Sequence, residues 1–183
     1  MRIEDQVVEL SKAPFDPEVI FATAVEYEKL DQKAAAISFY LRAAEYGART
    51  HQLIVYNSLL KMAKLFEDQK DRQHTVINCW RQALIVDPYR PEAYFLFSQY
   101  YDGQGSWQEG YTWATLGLAN FTSEPLLSDI GFPGKLGLLF EKAVCGWWIG
   151  RREESIEIFQ GLLKEELPDN YRTAIQANLE KIL

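Results

Sequence analysis

The sequence is poor in the residues that build metal and redox sites. It contains two cysteines and two histidines among 183 residues. Cys79 and Cys145 lie far apart in helical patterns, and neither His51 nor His74 has a histidine or cysteine partner at ligand spacing. This distribution argues against a zinc or iron site and against a disulfide framework. We therefore expect no metal ion and no cofactor, and a reducing cytoplasmic setting suits both thiols.

Basic residues are also scarce. Lys and Arg total 19 against 26 Asp and Glu, which gives a formal net charge of −7. Nucleic acids and anionic membrane surfaces are bound through cationic patches, so neither is an expected partner. The sequence has no run of eighteen apolar residues, and its acidic, weakly apolar beginning does not resemble a secretory signal. We expect a cytoplasmic protein.

Alternating apolar and polar residues, the sign of a half-buried strand, are missing as well, and the apolar residues follow a period of 3.6. Asp16 and Pro17 stand where a helix N-cap and first-turn proline belong. The pattern predicts four helix pairs: Glu18–Lys29 with Lys33–Tyr46, His51–Glu67 with Arg72–Val86, Pro91–Tyr101 with Trp107–Asn120, and Leu136–Ile149 with Glu153–Glu165. The fold class is all-α.

The second helix of each pair carries a recurring stripe with a small or medium first residue and further members four and seven positions on. The stripes are Ala36/Tyr40/Ala43, Val76/Trp80/Ala83, Gly110/Ala114/Gly117 and Ser155/Phe159/Leu162. First helices carry a small residue followed by an aromatic three positions later: Ala24/Tyr27, Ala63/Phe66 and Ser98/Tyr101. Small residues let the helices of a pair approach closely, so each pair covers a face of its neighbour.

With these stripes the chain resembles the tetratricopeptide repeat family, whose unit has about 34 residues. Asn57 and Pro91 begin units 34 residues apart, and Asp87–Pro91 resembles the closing turn of the family. The resemblance implies a right-handed α-α superhelix of about four helix pairs with capping helices at both ends. One domain, 1–183, would divide into 1–15 (half-repeat or cap), 16–49, 50–90, 91–123, a loop insertion at 124–135, 136–168, and a capping helix at 169–183.

The beginning of the chain admits two interpretations. Ile3, Val7 and Leu10 have the spacing of the second-helix stripe, so the segment is either half of a repeat whose first helix is missing or a helix that caps the first repeat. The former would make the chain a piece of a larger protein.

No motif in the sequence supports catalysis. Gly131–Leu136 faintly resembles a phosphate loop, but the glycine spacing is wrong and Leu136 stands where a hydroxyl must bind magnesium. The glycines of Gly103–Gly105 fit a tight turn between helices, since no strand precedes them. Glu153 and Glu154 open a helix, where its dipole favours acidic residues. We expect no catalytic residues and no enzymatic activity.

The resemblance implies a binding groove lined by the first helices. Its positions include Glu18, Asn57 and Glu92, and the predicted partner contacts are Phe21, Val25, Leu60, Lys64, Phe95, Gln99, Phe140 and Trp147. The positions at which some family members grip a terminal carboxylate hold one basic residue, Lys61, so such a clamp is not expected. An aromatic floor with acidic edges favours an apolar or basic protein or peptide segment.

The leading hypothesis is therefore a non-enzymatic interaction module that binds a peptide or helix. An alternative is an accessory region of a larger sugar-transferring enzyme, because Tyr46–His51, Asp87–Glu92 and Phe140–Gly150 resemble helical-repeat regions attached to glycosyltransferases. The adjacent Trp147 and Trp148 point about 100° apart on a helix, so both cannot share one buried face. One should pack inward, and the other should cover the loop at Phe132–Gly134 or meet a partner. The sequence leaves the oligomeric state open.

Overall fold

The computed structural model describes residues 3–122 and 124–182, and they form ten α-helices. The helices are α1 (Ile3–Lys12), α2 (Pro17–Lys29), α3 (Lys33–Gly47), α4 (Gln52–Glu67), α5 (Gln73–Val86), α6 (Glu92–Gly103), α7 (Trp107–Ala119), α8 (Lys135–Trp148), α9 (Arg152–Leu162) and α10 (Asp169–Ile182). The all-α prediction is confirmed. Residues 1, 2, 123 and 183, which end or begin the expected segments 1–15, 91–123 and 169–183, lie outside the described residues.

Consecutive helices pack as antiparallel pairs, α2 with α3, α4 with α5, α6 with α7 and α8 with α9. Predicted helix ends agree with the observed ones to within a few residues. At the start of α2 the Asp16 carboxylate accepts hydrogen bonds from the backbone amides of Glu18 and Val19 at 2.8 and 3.4 Å, and Pro17 opens the helix. The predicted cap is confirmed, because this side chain satisfies amides that the helix itself leaves free.

All twelve members of the second-helix stripes are buried. Two of the small residues are required by close approach. A Cβ at Gly117 would lie 2.6 Å from Leu138 Cδ2, and one at Gly110 would lie 2.6 Å from Cys145 Sγ. These distances are shorter than real carbon contacts, so α7 and α8 pack as tightly as they do because the stripe carries no side chain there.

A left-handed residue closes the turn within each of the four pairs. The residues are Asp31 (φ 55°), Lys70 (φ 59°), Gly105 (φ 70°) and Gly150 (φ 87°). Each donates its amide to the carbonyl three residues earlier. In three of the four, the following amide also reaches five residues back, from Gln32 to Tyr27, Ser106 to Tyr101 and Arg151 to Gly146, as in a Schellman motif. The pairs thus share a turn conformation as well as a packing stripe.

The stripe expected for α1 is wrong at its middle member. Val7 is 45% exposed, whereas Ile3 and Leu10 are half-buried, and the buried residue of this helix is Gln6. The Gln6 amide donates to the Val19 carbonyl at 3.1 Å and to Thr23 Oγ1 at 3.4 Å. Because a hydrogen-bonded amide can be buried without the penalty of an unpaired polar group, α1 docks on α2 through a polar anchor. At the other end of the chain, Ile175 and Leu179 of α10 join the core formed by Ala143, Phe159 and Leu162.

The described residues divide into two compact units. The first comprises the described part of Met1–Tyr89 together with Glu124–Gly131, and the second the described part of Arg90–Ser123 together with Phe132–Leu183. The expected division into repeats within one domain stays a prediction. In neither unit is a described helix both long and apolar enough to cross a membrane.

Candidate partner-binding surfaces

In the first unit, Asn57 of α4 binds the main chain of the 124–131 segment. Its Nδ2 donates to the carbonyl of Ser128 at 3.1 Å, and its Oδ1 accepts from the amide of Ser128 at 2.7 Å. Asn57 is fully buried and Ser128 is half-buried, so this pair of bonds is partly shielded from water. A planar side-chain amide has both a donor and an acceptor, so it can pair with both main-chain polar groups of one residue.

Lys61, one turn further along α4, provides the next contact. Its ammonium donates to the carbonyl of Asp129 at 3.2 Å and to Glu28 Oε1 at 2.6 Å. The other Glu28 oxygen accepts from the Tyr40 hydroxyl at 2.6 Å. Burial, reinforced by the neighbouring carboxylate, raises the pKa of Tyr40, so it stays a donor. Lys61 is buried, and its charge is paired with that of Glu28. It is therefore suited to bind a neutral carbonyl rather than a second anion.

A cleft of about 560 Å³ lies beside these contacts in the same unit. It is mostly apolar and is lined by Glu18, Phe21, Thr50, His51, Gln52, Leu53, Ile54 and Leu127. Leu127, directly before the residue that Asn57 holds, is 51% exposed. The exposed Glu18 provides a negative charge at the edge of the cleft. An apolar side chain with a basic neighbour would match this surface.

The predicted contact residues of the first unit differ in exposure. Phe21 is buried with its ring edge against Tyr40, at 5.4 Å between centroids, and Leu60 is buried as well. Val25 is half-buried, whereas Lys64 is exposed. Of these four residues, Lys64 is therefore the most accessible to a partner. Phe21 is accessible only where it borders the cleft. Their contact with a partner stays a prediction.

In the second unit, the chain covers the predicted residue Phe95 with its own loop. Phe95 is buried, and its ring lies 5.3 Å from that of Phe132. A Cβ at Gly137 would lie 2.8 Å from the Phe95 ring and would also overlap Pro133. The glycine is needed for this loop to approach α6. Gln99, one turn further along α6, is exposed.

Phe140 and Trp147 of α8 are both half-buried. The Phe140 ring stands edge-on to Tyr171 at 5.2 Å, which fixes α10 against α8. Trp147 lies beneath the guanidinium of Arg152 at 4.8 Å and borders a cleft of about 240 Å³. Trp148 does not cover the loop at 132–134. It is 58% exposed and stacks on Trp107 at 4.7 Å.

Two neighbouring carboxyl groups lie on α6 and α8, the half-buried Asp102 and the buried Glu141. Glu141 is buried, and desolvation, followed by the charge of Asp102, raises its pKa to about 7. The Cys145 thiol contacts Asp102 Oδ1 at 3.7 Å, and burial raises the pKa of this thiol too. A thiol with a raised pKa is a poor nucleophile. Among residues 3–122 and 124–182, no three His, Cys, Asp or Glu side chains gather as a metal site requires.

Comparison with known proteins gives information on the fold of the chain. No family model and no curated protein matches the sequence. Solved structures do match. Two crystal structures of MamA align with 88% of this chain and 79% and 85% of their own, at 14% identity and TM-scores of 0.61 and 0.63. TTC0263, a thermophilic TPR protein in Thermus thermophilus, aligns with 97% of this chain and 88% of its own, at 18% identity and a TM-score of 0.60.

The chain has a tetratricopeptide-repeat fold. At these identities the likeness shows the fold alone. The sequence analysis assigned Asn57 and Lys61 to a predicted groove, and it interpreted 124–135 as a loop insertion. It missed that residues 128 and 129 bind to these two side chains. No spacing rule pairs an asparagine with a main chain 71 residues away.

Proposed function

We propose that the protein is a non-enzymatic interaction module that binds an apolar or basic segment of a partner protein on the α2–α4 face of its first unit. A tetratricopeptide fold is usually not catalytic and implies protein partners in general. The observation that carries the proposal is the cleft beside Leu127. It is concave, largely apolar and open to solvent, with the carboxylate of Glu18 at its edge. Peptides are bound through such pockets for anchoring side chains.

Photo-crosslinking tests this proposal in the intact chain. A photoreactive amino acid replaces Lys64, which is exposed on α4, or in the control Asn78, which is exposed on α5 of the same unit. A pool of twelve-residue peptides with apolar and basic residues is the probe, and an acidic pool is the comparison. We expect crosslinks at position 64 that exceed those at position 78 and that are stronger with the apolar and basic pool than with the acidic pool. Equal labelling at both positions would contradict the proposed face.

The alternative, an accessory region of a sugar-transferring enzyme, draws no support from the comparisons. One feature is compatible with it. The exposed indole of Trp148, stacked on Trp107, offers a flat aromatic surface such as sugars stack on. A panel of glycans and nucleotide sugars, titrated against tryptophan fluorescence with Trp148→Phe as control, separates the two. Quenching that is lost in the variant, together with no peptide crosslinks, would favour the alternative.

A further inference from the structure

The 124–131 segment is unusual because it lies between two helices of one unit in the sequence but packs in the other unit. It follows α7 and precedes α8, both in the second unit, yet Glu124–Gly131 belongs to the first unit. Its attachment there runs through Asn57 and Lys61, the side chains just described on α4. Ile130 of the segment is buried, and the Asp129 carboxylate accepts from the amide of Gly131 at 2.8 Å. The segment is thus held in the first unit by hydrogen bonds and by the burial of Ile130.

Asn57 and Lys61 contact the main chain of this segment and not its side chains. Asn57 binds both polar groups of Ser128, and Lys61 binds the carbonyl of Asp129. A fully buried amide needs such hydrogen bonds, since buried polar groups are rarely left without partners. Burial of Asn57 therefore requires a main-chain N–H and C=O at this place, and the hydrogen bonds themselves do not depend on the side chain of the residue that provides them.

We infer that the α2–α4 face is a receptor for peptide main chain, and that residues 124–131 occupy it as an intramolecular ligand which a partner segment must displace. The inference rests on the proposed function and adds the form of the partner. The partner is an internal segment that presents a main-chain N–H and C=O to Asn57, with an apolar side chain at the place of Leu127. It cannot carry proline at the place of Ser128, because proline has no amide hydrogen for Asn57. Because Glu28 already neutralises Lys61, a carbonyl is preferred there to a terminal carboxylate.

The test compares two full-length chains, the intact protein and an opened chain in which residues 124–131 are replaced by a glycine-serine segment of equal length. The probe is a fluorescent, N-acetylated and C-amidated peptide with the sequence of residues 124–131, and fluorescence anisotropy measures its binding. A tethered ligand competes at an effective concentration in the millimolar range. We therefore expect the opened chain to bind the probe at least about 10-fold more tightly than the intact chain.

Two modified probes identify the main-chain atoms that Asn57 binds. N-methylation of the amide of Ser128 removes the hydrogen that Asn57 Oδ1 accepts, and binding should be lost. N-methylation of the amide of Leu126 is the matched control, because the described residues provide no acceptor for that amide. Alanine at the place of Ser128 should bind like the original probe, since the side chain is not read.

A second pair of variants keeps the test valid if the opened chain does not fold. Ser128→Pro in the otherwise intact chain removes the donor to Asn57, and Ser128→Ala keeps it. We expect Ser128→Pro to bind the probe about 10-fold more tightly than Ser128→Ala does. Equal affinities for both chains, or for both N-methylated probes, would overturn the inference. The crosslinking ratio between positions 64 and 78 reports separately on the proposed function, so the failure of one is distinguishable from the failure of the other.

Discussion

Replacement of the buried carboxyl of Glu141 by an amide should change how stability depends on pH. Glu141 lies on α8 and faces Asp102 and Gln99 of α6, with Cys145 on its own helix. Burial, reinforced by the charge of Glu141, raises the pKa of Tyr171 on α10. Desolvation, reinforced by Asp102, raises the pKa of Glu141 from 4.5 to about 7, so the folded state favours the neutral acid.

The sign of the effect follows from this direction. A carboxyl whose pKa is higher in the folded state contributes stability below its unfolded pKa, and that contribution is lost as the pH rises through the folded value. Between pH 4.5 and 7 the loss amounts to about 3 kcal/mol, because each pKa unit corresponds to about 1.4 kcal/mol. The raised pKa of the partly buried Asp102 acts in the same direction. Glu141→Gln removes the ionisation and should flatten most of this fall.

Urea unfolding at pH 5 and at pH 8 measures the effect. We expect the intact protein to lose about 3 kcal/mol relative to Glu141→Gln between these values. Glu109→Gln, at an exposed position of α7, is the matched control and should keep the pH dependence of the intact protein. Parallel pH profiles for the intact protein and Glu141→Gln would refute the assignment of the buried charge.

Four further substitutions test the packing by thermal or urea unfolding. Lys70→Gly should stabilise the protein by up to about 1 kcal/mol, because a left-handed residue without Cβ avoids strain; a clear loss would contradict the turn conformation. Gly117→Ala should cost about 1–3 kcal/mol by overlap with Leu138, whereas Gly161→Ala, where the space is open, should gain up to about 1 kcal/mol; equal effects would count against the close helix approach. Phe95→Ala should cost about 3–5 kcal/mol as a core truncation, and an unchanged midpoint would place its ring on the surface instead.

The helix pairs and their packing faces could be predicted from the sequence because they depend on local spacing. Each stripe repeats within one helix, where positions four and seven apart must share a side. Ala36 and Tyr40 were therefore assigned to the core without any knowledge of their neighbours, and both are buried. The same reasoning failed at α1, where hydrophobicity favoured Val7 over Gln6. Hydrogen bonds to Val19 and Thr23 decided the register there, and they depend on a second helix.

The predicted groove follows from helix register, which assigned Asn57 and Lys61 to one side of α4, and that this side binds a partner stays a prediction. Their partners, at residues 128 and 129, are contacts of long sequence separation between side chains and main chain, and no periodic pattern encodes these. The burial of Phe95 under Phe132 was missed for the same reason, since the loop residues that cover it lie outside the helices. Turn conformation was missed at Asp31 and Lys70, which carry no glycine to mark it.

The seat of residues 128 and 129 on α4 has a consequence for anyone who trims this protein. A fragment that stops at Tyr89 keeps five helices yet lacks the stretch that completes its interior. The side-chain amide of Asn57 would then lose both of its partners, and such orphaned groups cost about 1–3 kcal/mol each. The first unit is thus discontinuous in sequence. A fragment cut near the middle of the chain would lack part of this unit.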